Sequence, residues 1–353
     1  MEKPPVLGGF FYGFSYLCSM EKLKFSFIVP VFNRPQEIEE LLQSMCKLEG
    51  DLSFEVVVVE DGSDLDCKKV VSQFEKQLNI TYLYKQNSGP GDSRNYGMKH
   101  AKGNYFIILD SDCLLPNHYL KVVKQCLEQK FVHCFGGPDA AHHSFTPLQK
   151  AINFSMTSVL TTGGIRGGRK SKKFQPRSFN MGLSKEAFEA SKGFGTIHPG
   201  EDPDLSIRLW ELGVETALFQ EAYVFHKRRI SWSKFYQQVH KFGLVRPILN
   251  SWHPKTASLV YWFPLAFTVG FFLAIFLALL GFKYLLMLFL VYFCLCFIVA
   301  LFSSKNLYVA LLSGLAIFIQ FLGYGFGFLK STFRINLLEQ DPKKAFPKLF
   351  FTK

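Results

Sequence analysis

Asp110-Ser111-Asp112 places two carboxylates one residue apart, directly after the apolar run Tyr105–Leu109. Hard oxygen donors at that spacing can hold Mg²⁺ or Mn²⁺, and such an ion neutralises charge developing on a departing diphosphate. The pattern alone occurs by chance in many loops, so its place at a strand end is what gives it weight. Asp61 also follows an apolar run, in Asp61-Gly62-Ser63. It suits a turn former or a hydrogen-bond partner for a nucleotide base or ribose. Arg94 lies in the first turns of a helix opened by Gly89-Pro90-Gly91. Helix N-termini attract phosphate, and a guanidinium adds a bidentate donor. Gly200-Glu201-Asp202-Pro203-Asp204 precedes a helix over Leu205–Leu212. Those acids serve as cap and dipole residues, Asp204 above all, or supply a general base that takes a proton from a hydroxyl. His226 closes the β-rich run Ala222–Phe225. A lone His is more often structural, but Lys227-Arg228-Arg229 directly after it favours a functional role.

These residues need a frame that brings them together. Phe25–Val31, Phe54–Val59, Ile80–Tyr84 and Tyr105–Leu109 read as buried strands. Gln36–Cys46, Val70–Leu78 and Ser93–His100 read as helices between them. The alternation predicts an α/β fold, with a mostly parallel, doubly wound, Rossmann-like sheet. Ligands bind such sheets beyond the carboxyl ends of the strands. Those ends carry Asn33-Arg34, Glu60-Asp61 and Asp110-Ser111-Asp112.

The chain has 353 residues, a net charge of +12 and 39 Phe, many of them after residue 257. The basic excess suits phosphorylated substrates, lipid headgroups or nucleic acid without choosing among them. The eight cysteines form no CxxC pair, which argues against a zinc cluster and against disulfides. Ala257–Leu280, Tyr284–Phe302 and Leu307–Leu329 each reach or nearly reach the roughly 20 apolar residues that cross a bilayer. They predict three transmembrane helices within 257–329, followed by a basic tail over 330–353. Residues 1–20 hold a short apolar run, Val6–Met20, with no signal-peptide pattern, and read as an extension that need not belong to the native protein. The basic, Gly-rich stretch 163–178 reads as a solvated loop or as a mobile lid whose cations meet phosphate or a membrane.

Six segments in order resemble the family-2 glycosyltransferases of the GT-A fold, over roughly Phe25 to Arg246. FSFIVPVFNR is similar to that family's opening strand and donor-site turn. VVVVEDGS is similar to its V-D-D-G-S element, with Glu60 in place of the first Asp. SGPGDSRNYGM, LDSD, FNMGLSKEAFEASKGF and HPGEDPDLSIRL are similar to its helix start, its D-x-D, its N-x-x-x-R-x-x-F…G-G-F segment and its G-E-D-x-D motif. The resemblance implies an inverting transferase of hexosyl type over residues 21–250, anchored by C-terminal transmembrane helices. Asp202 would be the base and Asp61 would contact the nucleotide base. Asp110 and Asp112 would hold donor and metal, with His226 as a late metal or diphosphate contact and Mg²⁺ or Mn²⁺ as cofactor. Pro30, Val31, Asn33, Arg34, Glu60, Gly89, Arg94, Ser111, Asn180, Glu201 and Lys241 would complete the nucleotide-sugar site.

Two departures argue for single-sugar transfer over polymer synthesis. Gln238-Val239-His240-Lys241-Phe242 is a degenerate form of the processive Q-x-x-R-W, and no run of membrane helices precedes the domain. The expected partners are a nucleotide diphosphate sugar, a UDP-sugar first, and a glycan or lipid-linked acceptor. The expected place is the inner membrane, with the catalytic domain cytoplasmic. The rivals are an inactive GT-A-fold scaffold and a nucleotidyltransferase. No Gly-rich phosphate loop or G-x-G-x-x-G follows the first strand, and no nucleic-acid motif is present. Three spans would set the basic tail opposite the catalytic domain, against the preference of such charge for the cytoplasm.

Overall fold

The computed structural model describes residues 22–50, 53–140, 145–163, 174–227 and 231–351. The extension 1–20 lies outside the described residues, as do Arg166, Arg169, Lys170, Lys172 and Lys173 of the basic stretch. The chain divides into two compact units. The first comprises Met1–Ala140, Gly168–His226 and Phe351–Lys353, and the second Ala141–Gly167 and Lys227–Phe350. Residues 145–163 and 231–250 therefore belong with the apolar helices, whereas the sequence suggested one domain over 21–250.

The first unit is built on β1 (Phe25–Val31), β2 (Phe54–Asp61), β3 (Ile80–Lys85) and β4 (Tyr105–Leu109), paired in parallel in the order β3-β2-β1-β4. Their residues are apolar without alternation because both faces are covered. Phe27, Val29 and Val31 enter one core, and Ile28 enters the other with Val57, Val59, Phe106 and Ile108. Helix α1 (Pro35–Met45) lays Ile38, Leu41, Leu42 and Met45 on the first core. Helix α2 (Pro90–His100) opens at the Gly89-Pro90-Gly91 turn the sequence suggested, and Pro90 fits a first turn that needs no N–H. Gly97 lets α2 approach the sheet closely: a Cβ there would lie 2.8 Å from Ile28 Cγ2.

Beyond β4 the sheet changes direction. β5 (Cys113–Leu114), β6 (Cys134–Gly136), β7 (Asp139–Ala140), β8 (Asn180–Ser184), β9 (Thr216–Leu218) and β10 (Val224–His226) complete the unit. β8 runs antiparallel between β4 and β6, extending the seven-stranded order to β3-β2-β1-β4-β8-β6-β9. The separate sheet β5-β10-β7 has strands of two or three residues, too short for a hydrophobic period to announce. Helix α3 (Glu201–Glu211) follows Gly200 and takes its three acids into its first turn.

The second unit holds α4 (Trp232–Trp252), α5 (Phe263–Leu279), α6 (Tyr284–Ser304) and α7 (Leu307–Ser331). Among the described residues, three segments are long and apolar enough to cross a membrane: Leu259–Leu279, Tyr284–Ser304 and Leu307–Leu337, with mean hydropathy 2.2, 3.0 and 1.9. The first α-helix begins at Phe263, after 3₁₀ turns over Pro254–Thr256 and Leu259–Trp262, so the run from Ala257 yields a shorter helix than its composition suggested. The third continues through Thr332–Leu337, into the stretch read as tail. α4 and α7 meet backbone to backbone. A Cβ on Gly243 would collide with Tyr324 O, and one on Gly327 with His240 O. Phe235 and Val239 of α4 also pack with Ile152 and Met156, from the helix Pro147–Thr157, and with Ala316 of α7.

Candidate functional site

The carboxyl ends of β1, β2 and β4 carry the polar residues singled out by position. Pro30 and Val31 end β1. Asn33 follows with φ 54°, its N–H donating to Ser63 Oγ at 2.7 Å and its Oδ1 accepting from Leu65 N at 3.0 Å. It thereby stitches the loop after β1 to the loop after β2. The Asp61 carboxylate accepts from Lys85 Nζ at 2.7 Å and from the Ser88 and Gly89 N–H groups, each at 3.0 Å. Gly89, at φ +90°, caps α2. Asp61 is thus the staple that fixes the start of α2 against the ends of β2 and β3.

Arg94 is buried and turned inward. One guanidinium nitrogen donates to Asp110 Oδ1 at 2.7 Å and the other to Glu201 Oε1 at 3.0 Å. This residue, read as a phosphate donor, is a strut between the two acidic motifs. His198 Nδ1 also meets Glu201 Oε1, at 3.0 Å. Burial alone would push the Glu201 carboxyl up, but His198 and then Arg94 overcome it and bring it down to about 2. Asp202, beside it on α3, is raised above the usual aspartate value. Burial is the larger cause and the Glu201 charge adds to it, opposed by Arg177, whose Nη1 lies 3.7 Å from Asp202 Oδ2.

Asp112 is held from two sides, by Arg34 Nη1 at 2.8 Å on Oδ2 and by His226 Nε2 at 3.1 Å on Oδ1. The small sheet explains the second contact, since β10 pairs His226 with Cys113 of β5. Asp112, Cys113 and His226 offer donor atoms that all lie within 4.8 Å of one another. The His226 ring stacks on Phe179, with centroids 4.7 Å apart, and its buried Nδ1 has no hydrogen-bond partner among the described residues. An aspartate oxygen suits Mg²⁺ or Mn²⁺, whereas the imidazole and the Cys113 thiol are softer donors that fit a transition ion better than Mg²⁺; Asp110, paired with Arg94, lies outside this donor cluster.

The structure thus joins Arg34, Asp112 and His226 in one cluster and Asp110, Arg94 and Glu201 in another, and Ser111 is buried in the turn between the two aspartates. Other sequence candidates face inward. The Glu60 carboxylate accepts from Cys67 N at 2.8 Å and from Ser63 Oγ, bracing its own loop. Asn180 is fully buried, accepting from Tyr119 OH at 2.6 Å and donating to Ala222 O at 2.8 Å. Lys241 is exposed on α4, in the second unit. Sequence reasoning missed Lys85, Arg177 and His198. Lys85 sits at the end of β3, where a strand-end rule would have found it. His198 sits three residues before Glu201, in the turn that leads into α3.

Residues 26–195 match the family model described as glycosyl transferase family 2. Poly(ribitol-phosphate) β-N-acetylglucosaminyltransferase TarS of Staphylococcus aureus is 37% identical over 102 residues, covering 28% of this chain and 18% of that protein. GalNAc(5)-diNAcBac-PP-undecaprenol β-1,3-glucosyltransferase of Campylobacter jejuni is 33% identical over 116 residues, covering 32% and 37%. The chain spans less than half the length of these curated relatives. A mannosyltransferase from Pyrobaculum calidifontis, solved with GDP-mannose and Mn²⁺, shares the fold with a TM-score of 0.55 at 16% identity, covering 95% of this chain and 96% of that one.

Proposed function

Residues 26–195 are a glycosyl transferase family 2 domain, and on that premise we propose that the protein is an inverting glycosyltransferase. It takes a sugar from a nucleotide diphosphate donor, a UDP-sugar first, to a hydroxyl of a surface glycan or lipid-linked acceptor. The observation that carries the reading is the Arg94 strut, which joins Asp110 to Glu201 and so sets the donor-side carboxylates beside the helix that bears Asp202.

The Asp61 staple orders the start of α2, and a helix N-terminus is a favourable place for a diphosphate. Asp110, Asp112 and His226 would hold a divalent cation, which would supply charge neutralisation on the leaving nucleotide diphosphate. Asp202 takes the proton from the acceptor hydroxyl as its oxygen attacks the anomeric carbon in line, opposite the departing diphosphate. A base whose pKa is raised by burial accepts that proton more readily than a solvated aspartate. Phosphate-bearing acceptors are favoured, since both curated relatives carry one in their names. Nucleotide-sugar donors are mainly cytosolic, so the active domain faces the cytoplasm, with the apolar helices in the cell membrane.

The test is a donor panel: purified protein with Mn²⁺ or Mg²⁺ and a set of nucleotide-sugars, scored by release of nucleotide diphosphate. One donor should be turned over. Chelator and Asp112→Ala should each remove the activity. Full turnover in chelator would rule out the metal, and no turnover with any donor would favour a non-catalytic binding protein on this fold.

A further inference from the structure

Phe351 belongs to the first unit, although all of Lys227–Phe350 belongs to the second. Its N–H donates to Thr196 O at 3.0 Å. Its ring sits on Gly89, where a Cβ would collide with it, and its centroid lies 6.1 Å from that of His198. Phe351, Ser88, Asp92, Thr196 and His198 line one small pocket. The residue therefore touches two parts of the site at once. One is the Gly89 turn stapled by Asp61, and the other is the segment whose His198 holds Glu201.

A residue packed inside the catalytic unit cannot lie across a bilayer from it. The chain leaves this unit at His226 and re-enters it at Phe351, with three apolar helices in between. We infer that the segment after the third apolar helix returns to the catalytic face of the membrane, where Phe351 is a positioning residue for the donor turn, so that the chain makes two complete crossings. The helix that enters without crossing is α5. Its 17 α-helical residues reach about 25 Å, and only with the 3₁₀ turn Leu259–Trp262 before it does the segment attain the 21 residues that are long enough to cross. α6 and α7, with 21 and 25 residues, reach about 32 and 38 Å. Tyr261 and Trp262 stand at the entry to α5, as interface residues do. Two crossings put Lys283 and the cluster Lys330, Arg334, Lys343, Lys344 and Lys348 on the catalytic face and leave Lys305 alone on the other. The charge then obeys the positive-inside rule, which three crossings violate.

The positioning role rests on the donor reading above, whereas the crossing count needs no activity to be measured. Single cysteines replace the exposed Lys76, Lys283, Lys305 and Lys348 in separate variants of the full chain. An impermeant thiol reagent is applied to intact cells and to inside-out vesicles, with the unsubstituted protein as the background. Lys283→Cys and Lys348→Cys should label from the same face as Lys76→Cys, and Lys305→Cys from the opposite face. Labelling of Lys348→Cys from the opposite face would overturn the return of the chain, and of Lys283→Cys the placement of α5. In the donor assay Phe351→Ala should raise the donor KM about tenfold, the effect of losing a partly buried ring. It should change kcat less than about threefold, and Phe351→Tyr should restore the KM. An unchanged donor KM in Phe351→Ala would remove the positioning role.

Discussion

Asp202→Asn is expected to slow sugar transfer by about 10²–10⁴-fold while leaving donor binding in place, because it keeps the shape and removes the proton acceptor. The site adds a pH signature. Asp202 works ionised, and its pKa is raised by burial and by the Glu201 charge against the pull of Arg177. The rate should therefore fall on the acid side at a pH above the ordinary aspartate range. Arg177→Gln removes the largest of the influences that lower this pKa, ahead of Arg94, so the acid limb should move to still higher pH. A wild-type rate in Asp202→Asn would pass the role to Glu201. An acid limb unmoved in Arg177→Gln would mean that another group sets it.

The largest effect on stability is expected from Arg94→Met. Removing one member of a buried ion pair leaves uncompensated charge and typically costs about 3–5 kcal/mol. Here Glu201, as buried as the arginine, would keep only His198 of its two partners, and Asp110 would lose its ion pair. Thermal unfolding of the detergent-solubilised protein measures the loss, and Glu201→Gln added to Arg94→Met should recover part of it. The wild-type contribution has a defined acid dependence. A carboxyl depressed to about 2 adds stability that is fully present above the ordinary glutamate range and is lost as pH falls toward 2. A variant as stable as the wild type would mean that water reaches Glu201 once the arginine is gone.

The parallel half of the sheet was legible because buried parallel strands are continuous apolar runs. Phe25–Val31 and Tyr105–Leu109 match their strands residue for residue, and polar residues at their ends mark the ligand side. The antiparallel half was not, since β8 is the mixed string Asn180–Ser184 and β5 and β10 are shorter than any period. That gap matters at the site, because the small sheet is what brings His226 to Asp112. Residue type announced carboxylates and arginines but not their direction. Arg94 and Asn180 stand in functional-looking motifs and point inward, which only packing decides. His198, Lys85 and Arg177 went unread because none of them belongs to a motif itself, and Lys85 and Arg177 meet Asp61 and Asp202 only through the fold.

The glycine seam between α4 and α7 has a consequence for the order in which the protein is made. Gly243 and Gly327 are separated by roughly 80 residues, so at ~5–20 residues per second α4 emerges about 4–16 s before its partner exists. During that interval its apolar side needs another companion. Ile152 and Met156 come from a helix synthesised earlier and already meet Phe235 and Val239, whereas Ala316 of α7 joins the same cluster late. The helix Pro147–Thr157 is thus placed to act as a stand-in during synthesis, guarding α4 until α7 arrives and the two backbones close on each other.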